Sequence, residues 1–334
     1  MARDYNIAIV GASGMVGRKF LQVLEERKLP AKEYFLFSSA RSAGKAIDFL
    51  GKKYTLIELT EHSLKGKGID IAFFSAGAGT SAKFAPLFAA EGAVVIDNSS
   101  QWRTDINVPL IVPEVNGEAS LTHKGIISNP NCSTIQAVVA LKPLYDKYGI
   151  KRVVYSTYQA VSGAGISGYQ DLENGIKGEP PKKFTAPIFG NVIPHIDTFL
   201  PNGYTKEEQK MIFETQKILN DFSIKITATT VRVPVFHGHS ESINIEFSVP
   251  CTLEGIRQAL QEQEGIIVVD NPEKCEYPMP IDVEDKDEVF VGRIRLDESL
   301  QSGCNLWVVA DNIRKGAATN AVQIAEYLIS KNAI

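Results

Sequence analysis

One cysteine lies where a helix is predicted to begin. Cys132 stands in the run SNPNCST (128–134), directly before an apolar pattern with helical spacing. Asn129 is predicted to cap this helix and Pro130 to take its first position, where a missing N–H costs nothing. Cys132 would then lie in the first turn, where the positive end of the helix dipole favours the nucleophilic thiolate. The pattern predicts a cysteine nucleophile, and the alternative is an ordinary buried cysteine.

The three other cysteines lack such a setting and are predicted to be inert or packing residues; they are Cys251, Cys275 and Cys304. Their wide spacing, without a CxxC pair or a signal peptide, indicates a reducing cytoplasm.

A thiolate nucleophile needs an acid or base that folding brings close to it. The candidates are His62, His123, His195, His237 and His239. Two of them end the β-like run VRVPVFHGH (231–239), in which strict alternation places Arg232, Pro234 and Phe236 on one face. Spacing alone therefore does not decide which histidine faces the site. The H-x-H pair could instead bind zinc, although no further ligand cluster accompanies it.

A glycine-rich turn near the N-terminus has the composition of a phosphate-binding loop. GASGMVG (11–17) follows a predicted strand and opens a predicted helix. Glycine allows the tight turn and a close backbone approach to a pyrophosphate, whose charge the helix N-terminus then holds. An ordinary βα turn is the alternative. The residues assigned to dinucleotide binding here are Gly11, Ser13, Gly14, Met15 and Val16.

The residues after the second predicted strand favour NADP over NAD. An NAD site usually ends this strand with an acid that binds the ribose 2′-OH. Here the strand is followed by Ser38, Ser39 and Arg41, with Lys45 nearby. Hydroxyl groups and a guanidinium suit a 2′-phosphate, whereas the alternative is a polar surface loop with incidental charge.

The elements that must position these residues fall into two parts. Up to residue 130, strands such as Tyr5–Val10 and Asp70–Ser75 alternate with helices, which predicts a Rossmann-like, doubly wound parallel sheet. The helical pattern within 314–334 is predicted to complete this domain. Residues 131–313 are predicted to form an α+β catalytic and dimerisation domain with a mixed, largely antiparallel sheet. The Pro- and Gly-rich stretch 175–203 could be a linker, but its apolar residues favour a structured excursion.

Composition limits the class of protein further. With 35 Lys+Arg against 39 Asp+Glu and 44% apolar residues, the chain resembles an average globular protein without a general attraction to nucleic acid or anionic lipid. No apolar run approaches the ~20 residues that a membrane span needs.

Taken together, the sequence resembles the aspartate-β-semialdehyde dehydrogenase family, in its bacterial branch. The resemblance covers nearly the whole chain and is carried by ordered motifs: GASGMVG (11–17), DNSSQWR (97–103), VPEVN (112–116), SNPNCST (128–134), STYQAVSGAG (156–165), ETQK (214–217), RVPVFHGHS (232–240) and VFVGRIR (289–295). Gln101 and Trp102 stand where family members often have a small residue and Phe, which puts the packing of Arg103 in doubt.

The resemblance implies roles for individual residues. Cys132 would carry the acyl thioester, His239 would be the acid/base, and Gln159 would orient the acyl intermediate. The family spacing of seven positions after the substrate-binding Arg232 selects His239 over His237. Substrate and phosphate would be bound by Arg103, Glu214 and Lys217, and the nicotinamide by Ser162, Gly163 and Asn312. Asn131, or first-turn backbone N–H groups, could stabilise the oxyanion.

The implied activity is NADPH-dependent reductive dephosphorylation of L-aspartyl-4-phosphate to L-aspartate-4-semialdehyde, in the biosynthesis of lysine, threonine, methionine and diaminopimelate. The family implies a cytoplasmic homodimer or a tetramer of dimers, without nucleic-acid, membrane or metal partners. The alternatives are an N-acetylglutamyl-phosphate reductase, a glyceraldehyde-3-phosphate dehydrogenase, a non-catalytic dinucleotide sensor, and a cysteine hydrolase that would leave the glycine cradle unexplained.

Overall fold

The computed structural model describes residues 3–334. The chain divides into two units, one formed by the residues up to Pro130 together with Ala317–Ile334, and the other by Asn131–Gly316. Each unit has its own sheet.

The first unit alternates strands and helices along the chain. Its elements before the boundary are β1 (Tyr5–Val10), α1 (Met15–Arg27), β2 (Ala31–Ser38), β3 (Ala46–Phe49), β4 (Lys52–Thr55), β5 (Ile57–Glu58), α2 (Glu61–Leu64), β6 (Ile71–Phe74), α3 (Ala78–Ala90), β7 (Val94–Asp97), α4 (Pro113–Asn116) and β8 (Ile126–Ser128). Within the described residues, the main sheet has six parallel strands in the order β5-β2-β1-β6-β7-β8.

Strand order reverses beside β1, because the chain first builds outward through β2 and then returns to β6 on the other side. Consecutive residues of β1 pack into different cores: Ile7 and Ile9 contribute to one, and Ala8 and Val10 to the other. This arrangement explains why the central strands are apolar on both faces. The predicted doubly wound parallel sheet is confirmed.

The second unit contains a mixed sheet covered by helices on one face. Its elements are α5 (Cys132–Tyr148), β9 (Ile150–Gln159), α6 (Ile166–Ile176), α7 (Lys206–Leu219), β10 (Lys225–Arg232), β11 (His239–Phe247), α8 (Leu253–Glu262), β12 (Ile266–Val268), α9 (Pro280–Val283), β13 (Val289–Leu296) and β14 (Gly303–Ala310). The order is β10-β9-β11-β14-β13-β12, with β9/β10 and β12/β13 parallel and the other pairs antiparallel. The predicted mixed sheet is therefore also confirmed.

Burial alternates along the strands of this sheet. In β11, His239, Glu241 and Ile243 are fully buried, whereas Ser242 and Asn244 on the opposite face are only half-buried. Helix α5 packs against α7, α8 and β11, so the buried face is the one that the helices cover. The chain then returns to the first unit as α10 (Thr319–Ser330), which packs against α1.

The stretch 175–203 is a structured excursion rather than a linker. The carboxylate of Asp171 accepts hydrogen bonds from the backbone N–H groups of Lys182, Lys183 and Phe184, at 2.9, 2.8 and 2.8 Å. Further along, Ile188 is buried in a small cluster of apolar residues. These bonds hold the excursion against α6.

Within residues 3–334, no helix has the length and apolar character needed to cross a membrane.

Candidate active site

One edge of the second sheet collects four polar residues that the sequence assigned to the site. Strands β9 and β10 are parallel and end in register at Gln159 and Arg232. The antiparallel strand β11 begins at the same edge with His239, and that residue pairs with Ala310 at the end of β14, two positions before Asn312. Strand direction alone therefore brings together side chains that lie far apart in sequence.

The run 231–239 is not one strand, so the alternation expected from the sequence does not hold there. β10 ends at Arg232 and β11 begins at His239, and the residues between them form a turn. Pro234 cannot donate to a strand ladder. Gly238 closes the turn with φ of +84°, a conformation that side chains other than glycine rarely adopt.

Cys132 is the first residue of α5. The cap is Asn131, so the predictions of Asn129 as the cap and of Pro130 as the first helical residue were both wrong by two residues. The Oδ1 atom of Asn131 accepts hydrogen bonds from the N–H groups of Ser133 and Thr134, at 3.0 and 3.3 Å. Cys132 nevertheless lies in the first turn, where the helix terminus favours a thiolate.

Asn129 does not cap the helix because it belongs to the first unit. Its N–H donates to the carbonyl of Asp97 and continues the hydrogen bonding of the parallel sheet. Its side chain donates to the carbonyl of Ala317 and accepts from Asn320, at 3.2 and 2.7 Å.

Arg232 is buried beside the helix start. Its Nη1 donates to the carbonyl of Ala160 at 2.6 Å, and among the described residues its buried Nε has no hydrogen-bond partner. Burial lowers the pKa of Arg232, and the negative charges of Glu207 and of a Cys132 thiolate act against this shift. The guanidinium charge of Arg232 therefore interacts electrostatically with a thiolate at Cys132.

His239 has a defined hydrogen-bonding state. Its Nδ1 accepts the N–H of Ala160 at 3.0 Å, so the neutral ring carries its proton on Nε2. That Nε2 is buried and has no hydrogen-bond partner within residues 3–334. Burial and the charge of Arg232 both hold the pKa of His239 well below its usual value. The ring is therefore a neutral donor with one unused N–H.

Gly163 packs closely against the side chains of Arg232 and His239. A Cβ atom at Gly163 would lie 2.9 Å from Nη1 of Arg232 and 3.1 Å from Nε2 of His239. A side chain at position 163 would therefore crowd both Arg232 and His239, and glycine avoids this clash.

The side chains of Ser162 and Asn312 are hydrogen-bonded to each other beside Gly163. The Oγ of Ser162 lies 3.0 Å from Nδ2 of Asn312, whose Oδ1 accepts the N–H of Gly238 at 3.1 Å. All three nicotinamide-binding residues predicted from the resemblance, Ser162, Gly163 and Asn312, therefore lie in the second unit near His239.

His237 lies in different surroundings. Its Nε2 is 3.5 Å from a carboxylate oxygen of Glu284, and its ring contacts Tyr169. Within residues 3–334 no group of three or more His, Cys, Asp or Glu side chains could hold a metal ion. The other histidines have unrelated settings: His195 stacks on Phe199, and His62 and His123 belong to the first unit.

Gln159 is held by a residue that the sequence analysis missed. Its Nε2 donates to Oε1 of Glu207 at 3.1 Å, and the same oxygen accepts Nδ2 of Asn131 at 2.9 Å. In sequence, Glu207 looks like an ordinary acidic residue in the first turn of a helix. Its place in the site is seen only from its contacts with Gln159 and Asn131, which lie 48 and 76 positions away in the sequence.

Two predicted substrate-binding residues lie one turn apart on α7. The carboxylate of Glu214 is buried and accepts the backbone N–H of Asn131 at 2.6 Å, so it helps to fix the residue that caps α5. Lys217 is half-buried.

Arg103 belongs to the first unit, where backbone carbonyls orient it. Its Nε donates to Asn129 and its Nη2 to Asn98, at 3.0 and 2.8 Å. The unusual neighbour Trp102 donates its indole N–H to Oγ of Ser81 at 2.9 Å. The packing that the sequence left in doubt is therefore defined.

The glycine cradle lies where the strand order of the first sheet reverses, the usual position of a ligand site in open α/β sheets. Gly11 follows β1 with φ of +91°, and a Cβ there would lie 2.3 Å from the carbonyl oxygen of Ser75. Gly14 is the N-cap of α1, and within the described chain no side chain caps this helix. Its first turn also lacks acidic residues, so the residues present fit a pyrophosphate.

The residues assigned to the 2′-phosphate follow β2 closely. Ser38 ends that strand and is buried, whereas Ser39 and Arg41 are exposed. The Arg41 side chain is accessible to a ligand in this loop.

A second buried acid was also missed. Glu241 lies two positions after His239 on the same face of β11, and within the described chain neither of its carboxylate oxygens has a hydrogen-bond partner. Burial raises the pKa of Glu241 well above its usual value and so favours the neutral acid.

Comparison with known proteins extends over both units. Residues 6–123 match the family described as "Semialdehyde dehydrogenase, NAD binding domain" and residues 141–315 match "Semialdehyde dehydrogenase, dimerisation domain". A protein of Aquifex aeolicus (strain VF5) named aspartate-semialdehyde dehydrogenase is 58% identical over 339 residues, covering 99% of each chain. A Vibrio cholerae protein named aspartate-semialdehyde dehydrogenase 2 is 49% identical, over 98% of this chain and 99% of its own.

Solved structures agree with these matches. The Vibrio cholerae aspartate semialdehyde dehydrogenase II, complexed with ASA, has a TM-score of 0.93 at 48% identity, over 98% of this chain and 99% of its own. The Candida albicans enzyme with NADP has a TM-score of 0.78 at 28% identity, over 99% and 100%. The resemblance predicted from the motifs is confirmed, and the chain, an oxidoreductase with an NAD(P)-binding domain, belongs to the aspartate-semialdehyde dehydrogenase family.

Proposed function

We propose that this chain interconverts L-aspartyl-4-phosphate and L-aspartate-4-semialdehyde plus phosphate, using NADP(H), with Cys132 as the acyl carrier. The observation that carries the proposal is the pair of unused buried donors, Nε of Arg232 and Nε2 of His239. Both side chains pack against Gly163, and the charge of Arg232 interacts electrostatically with a thiolate at Cys132, the first residue of α5. A substrate carboxylate and a reacting carbonyl oxygen would satisfy these donors.

The substrate charges have matching partners in the chain. Arg232 presents a guanidinium that can bind a carboxylate at two points. Arg103 and Lys217 supply positive charge for phosphate, and the Glu214 carboxylate suits the substrate ammonium group. These roles follow the family motifs residue by residue.

Cys132 forms and breaks the covalent bonds. Its thiolate attacks the acyl carbon of aspartyl phosphate, a C–S bond forms, and the C–O bond to phosphate breaks. When bound, the dinucleotide supplies the hydride for reduction of the thioester and accepts it in the reverse direction. The tetrahedral alkoxide then expels the Cys132 thiolate and leaves the aldehyde. The released phosphate takes up the proton that the overall reduction requires.

His239 serves this sequence as a hydrogen-bond donor. The Ala160 N–H occupies Nδ1, so protonating that nitrogen would set two N–H groups against each other. The neutral Nε2–H can stabilise the oxyanion at each tetrahedral stage without giving up its proton. We therefore propose a hydrogen-bond donor role for His239 in place of the acid/base role that the family resemblance implies. Both ends of the Asn131 amide also have partners, because Oδ1 caps α5 and Nδ2 donates to Glu207. This limits the part that Asn131 can take in stabilising the oxyanion.

For the cofactor we propose NADP, bound through its pyrophosphate at the glycine cradle by Gly11, Ser13, Gly14, Met15 and Val16. Ser38, Ser39 and Arg41 would bind the 2′-phosphate, and Ser162, Gly163 and Asn312 the nicotinamide. The Candida albicans relative solved with NADP supports the choice.

We also propose that the chain acts in the cytoplasm, in the biosynthesis of lysine, threonine, methionine and diaminopimelate, as a homodimer or a tetramer of dimers. The matched dimerisation domain supports self-association. The sheet face opposite the helices offers a surface for it, because Tyr158 is 40% exposed there beside Trp307.

The test is an assay of semialdehyde oxidation with NADP or NAD, with and without phosphate. Rapid NADP reduction that requires phosphate is expected. Preference for N-acetylglutamate semialdehyde or glyceraldehyde-3-phosphate would identify another acyl-phosphate reductase. Absence of turnover on every aldehyde, with dinucleotide binding retained, would contradict the proposal in favour of a sensor.

A further inference from the structure

Glu207 receives three hydrogen bonds from groups that surround the candidate nucleophile. It lies in the first turn of α7 and is buried. Its Oε1 accepts Nδ2 of Asn131 at 2.9 Å and Nε2 of Gln159 at 3.1 Å. Its Oε2 accepts Nζ of Lys210 at 3.1 Å.

The groups around this carboxylate favour its ionised form despite its burial. Burial alone would raise the pKa of Glu207, but the charge of Lys210 and the donors from Asn131 and Gln159 lower it below its usual value. Lys210 also donates to Asp197 at 2.7 Å, which anchors the ion pair nearer the surface. An ionised carboxylate can only accept hydrogen bonds, so it fixes which end of each neighbouring amide faces it.

The orientation of both amides matters to the site. With Nδ2 of Asn131 turned toward Glu207, Oδ1 is turned to the N–H groups of Ser133 and Thr134, as a helix cap requires. With Nε2 of Gln159 turned toward Glu207, its Oε1 is left to accept from Thr157 at 3.3 Å. Either amide, if flipped, would set two N–H groups or two oxygens against each other.

Glu208, the next residue, binds different groups. Glu208 is also buried in the first turn of α7, but its carboxylate accepts the backbone N–H groups of Thr205 and Thr230, at 2.7 and 3.0 Å. It therefore closes the capping box of the helix and ties the helix to β10. The two adjacent acids thus differ in their partners: Glu207 binds side chains of the candidate site, and Glu208 binds backbone N–H groups.

We propose that Glu207 is a positioning residue that locks the Asn131 cap beneath Cys132 and the Gln159 amide in one arrangement. The proposal rests on the proposed function for its effect on turnover. Its structural part, the locking of the cap, is measurable without substrate.

The experiment compares E207Q with E208Q in the full chain. Steady-state kinetics with semialdehyde, NADP and phosphate should show kcat of E207Q reduced about tenfold to a hundredfold, because small misplacements of reacting groups have effects of this size. KM for semialdehyde should change by less than about threefold, since Arg232 keeps its hydrogen-bond donors. E208Q should keep its kcat within about twofold. A Q159A/E207Q double variant should lose less than the product of the two single losses, because both single changes remove the contact between Gln159 and Glu207.

Amide hydrogen exchange supplies the readout that needs no substrate. E207Q should accelerate exchange at Ser133 and Thr134, whereas E208Q should accelerate it at Thr205 and Thr230. If E207Q does not fold, E207D, which keeps the charge but withdraws it by one methylene, should show the same pattern at smaller size. Wild-type kcat in E207Q, or unchanged exchange at the start of α5, would overturn the proposal. If the wild-type protein is inactive but E207Q and E208Q show the expected exchange patterns, the proposed function is contradicted and the positioning role of Glu207 is still supported.

Discussion

The backbone N–H of Ala160 donates a 3.0 Å hydrogen bond to Nδ1 of His239. This bond decides what the ring can do, because a neutral imidazole that accepts at Nδ1 carries its proton on Nε2. It also opposes formation of the imidazolium, which would need a proton on both nitrogens. We therefore expect His239 to stabilise an oxyanion without exchanging its proton.

The first prediction distinguishes a hydrogen-bond donor at position 239 from a residue that exchanges its proton. H239Q places an amide N–H near the position of Nε2, so it should keep clearly more activity than H239A, which should lose about 10²- to 10³-fold in kcat, as oxyanion donors commonly do. The kcat of the two variants, measured against pH, makes the comparison. Equal loss in both variants, with a wild-type profile that follows a histidine titration, would restore the acid/base role.

The second prediction concerns the cap of α5. N131A should lower the free energy of unfolding by about 1 kcal/mol or more, since it removes both the cap and the hydrogen bond to Glu207. It should also slow alkylation of Cys132 by iodoacetamide about two- to fivefold, since a helix terminus contributes about 0.3–1 kcal/mol to a charge. T252A removes the comparable cap of α8 and is the matched control. Peptide mass spectrometry gives the rates, and equal rates in the wild type and N131A would remove the cap from the account.

The sequence could predict Cys132 in a first turn because capping chemistry is local. It predicted Asn129 as the cap instead of Asn131, and both residues are good caps next to a proline. The choice was made by the first sheet, which binds the backbone of Asn129 through Asp97. Tertiary structure overrode a local preference there.

The doubly wound fold and the family could be predicted in the same way, from strand and helix patterns and from ordered motifs. Glu207 and Glu241 could not, because their surroundings come from distant parts of the chain. The face pattern at 231–239 was wrong because Pro234 and Gly238 interrupt what looked like one strand.

The third prediction concerns dinucleotide choice. R41A should raise KM for NADPH about tenfold or more, the effect of losing a charged hydrogen bond worth about 1.5–3 kcal/mol, and should leave KM for NADH nearly unchanged. K52A, which alters an exposed lysine on β4, is the control. Initial rates with both cofactors test the prediction, and parallel changes would exclude Arg41 from the 2′-phosphate site.

The fourth prediction concerns the buried acid Glu241. Its folded-state pKa is raised, so its contribution to stability is fully present below the unfolded-state pKa and is lost as pH rises through the folded-state pKa. E241Q removes this titration. The variant should therefore gain stability relative to the wild type as pH rises above about 4.5, and denaturant unfolding across pH 4–9 would show it.

E246Q, on the half-buried face of the same strand, should lack this trend. A stability difference between E241Q and the wild type that is constant with pH would contradict a neutral buried acid.

The central claim is that Cys132 carries the acyl group. The most direct measurement mixes the protein with semialdehyde and NADP without phosphate, quenches the mixture in acid, and maps the peptides by mass spectrometry. The account predicts one aspartyl group on the peptide containing Cys132, lost on adding phosphate and absent in C132A. Turnover without any such adduct, or phosphate-dependent oxidation that survives in C132A, would contradict it.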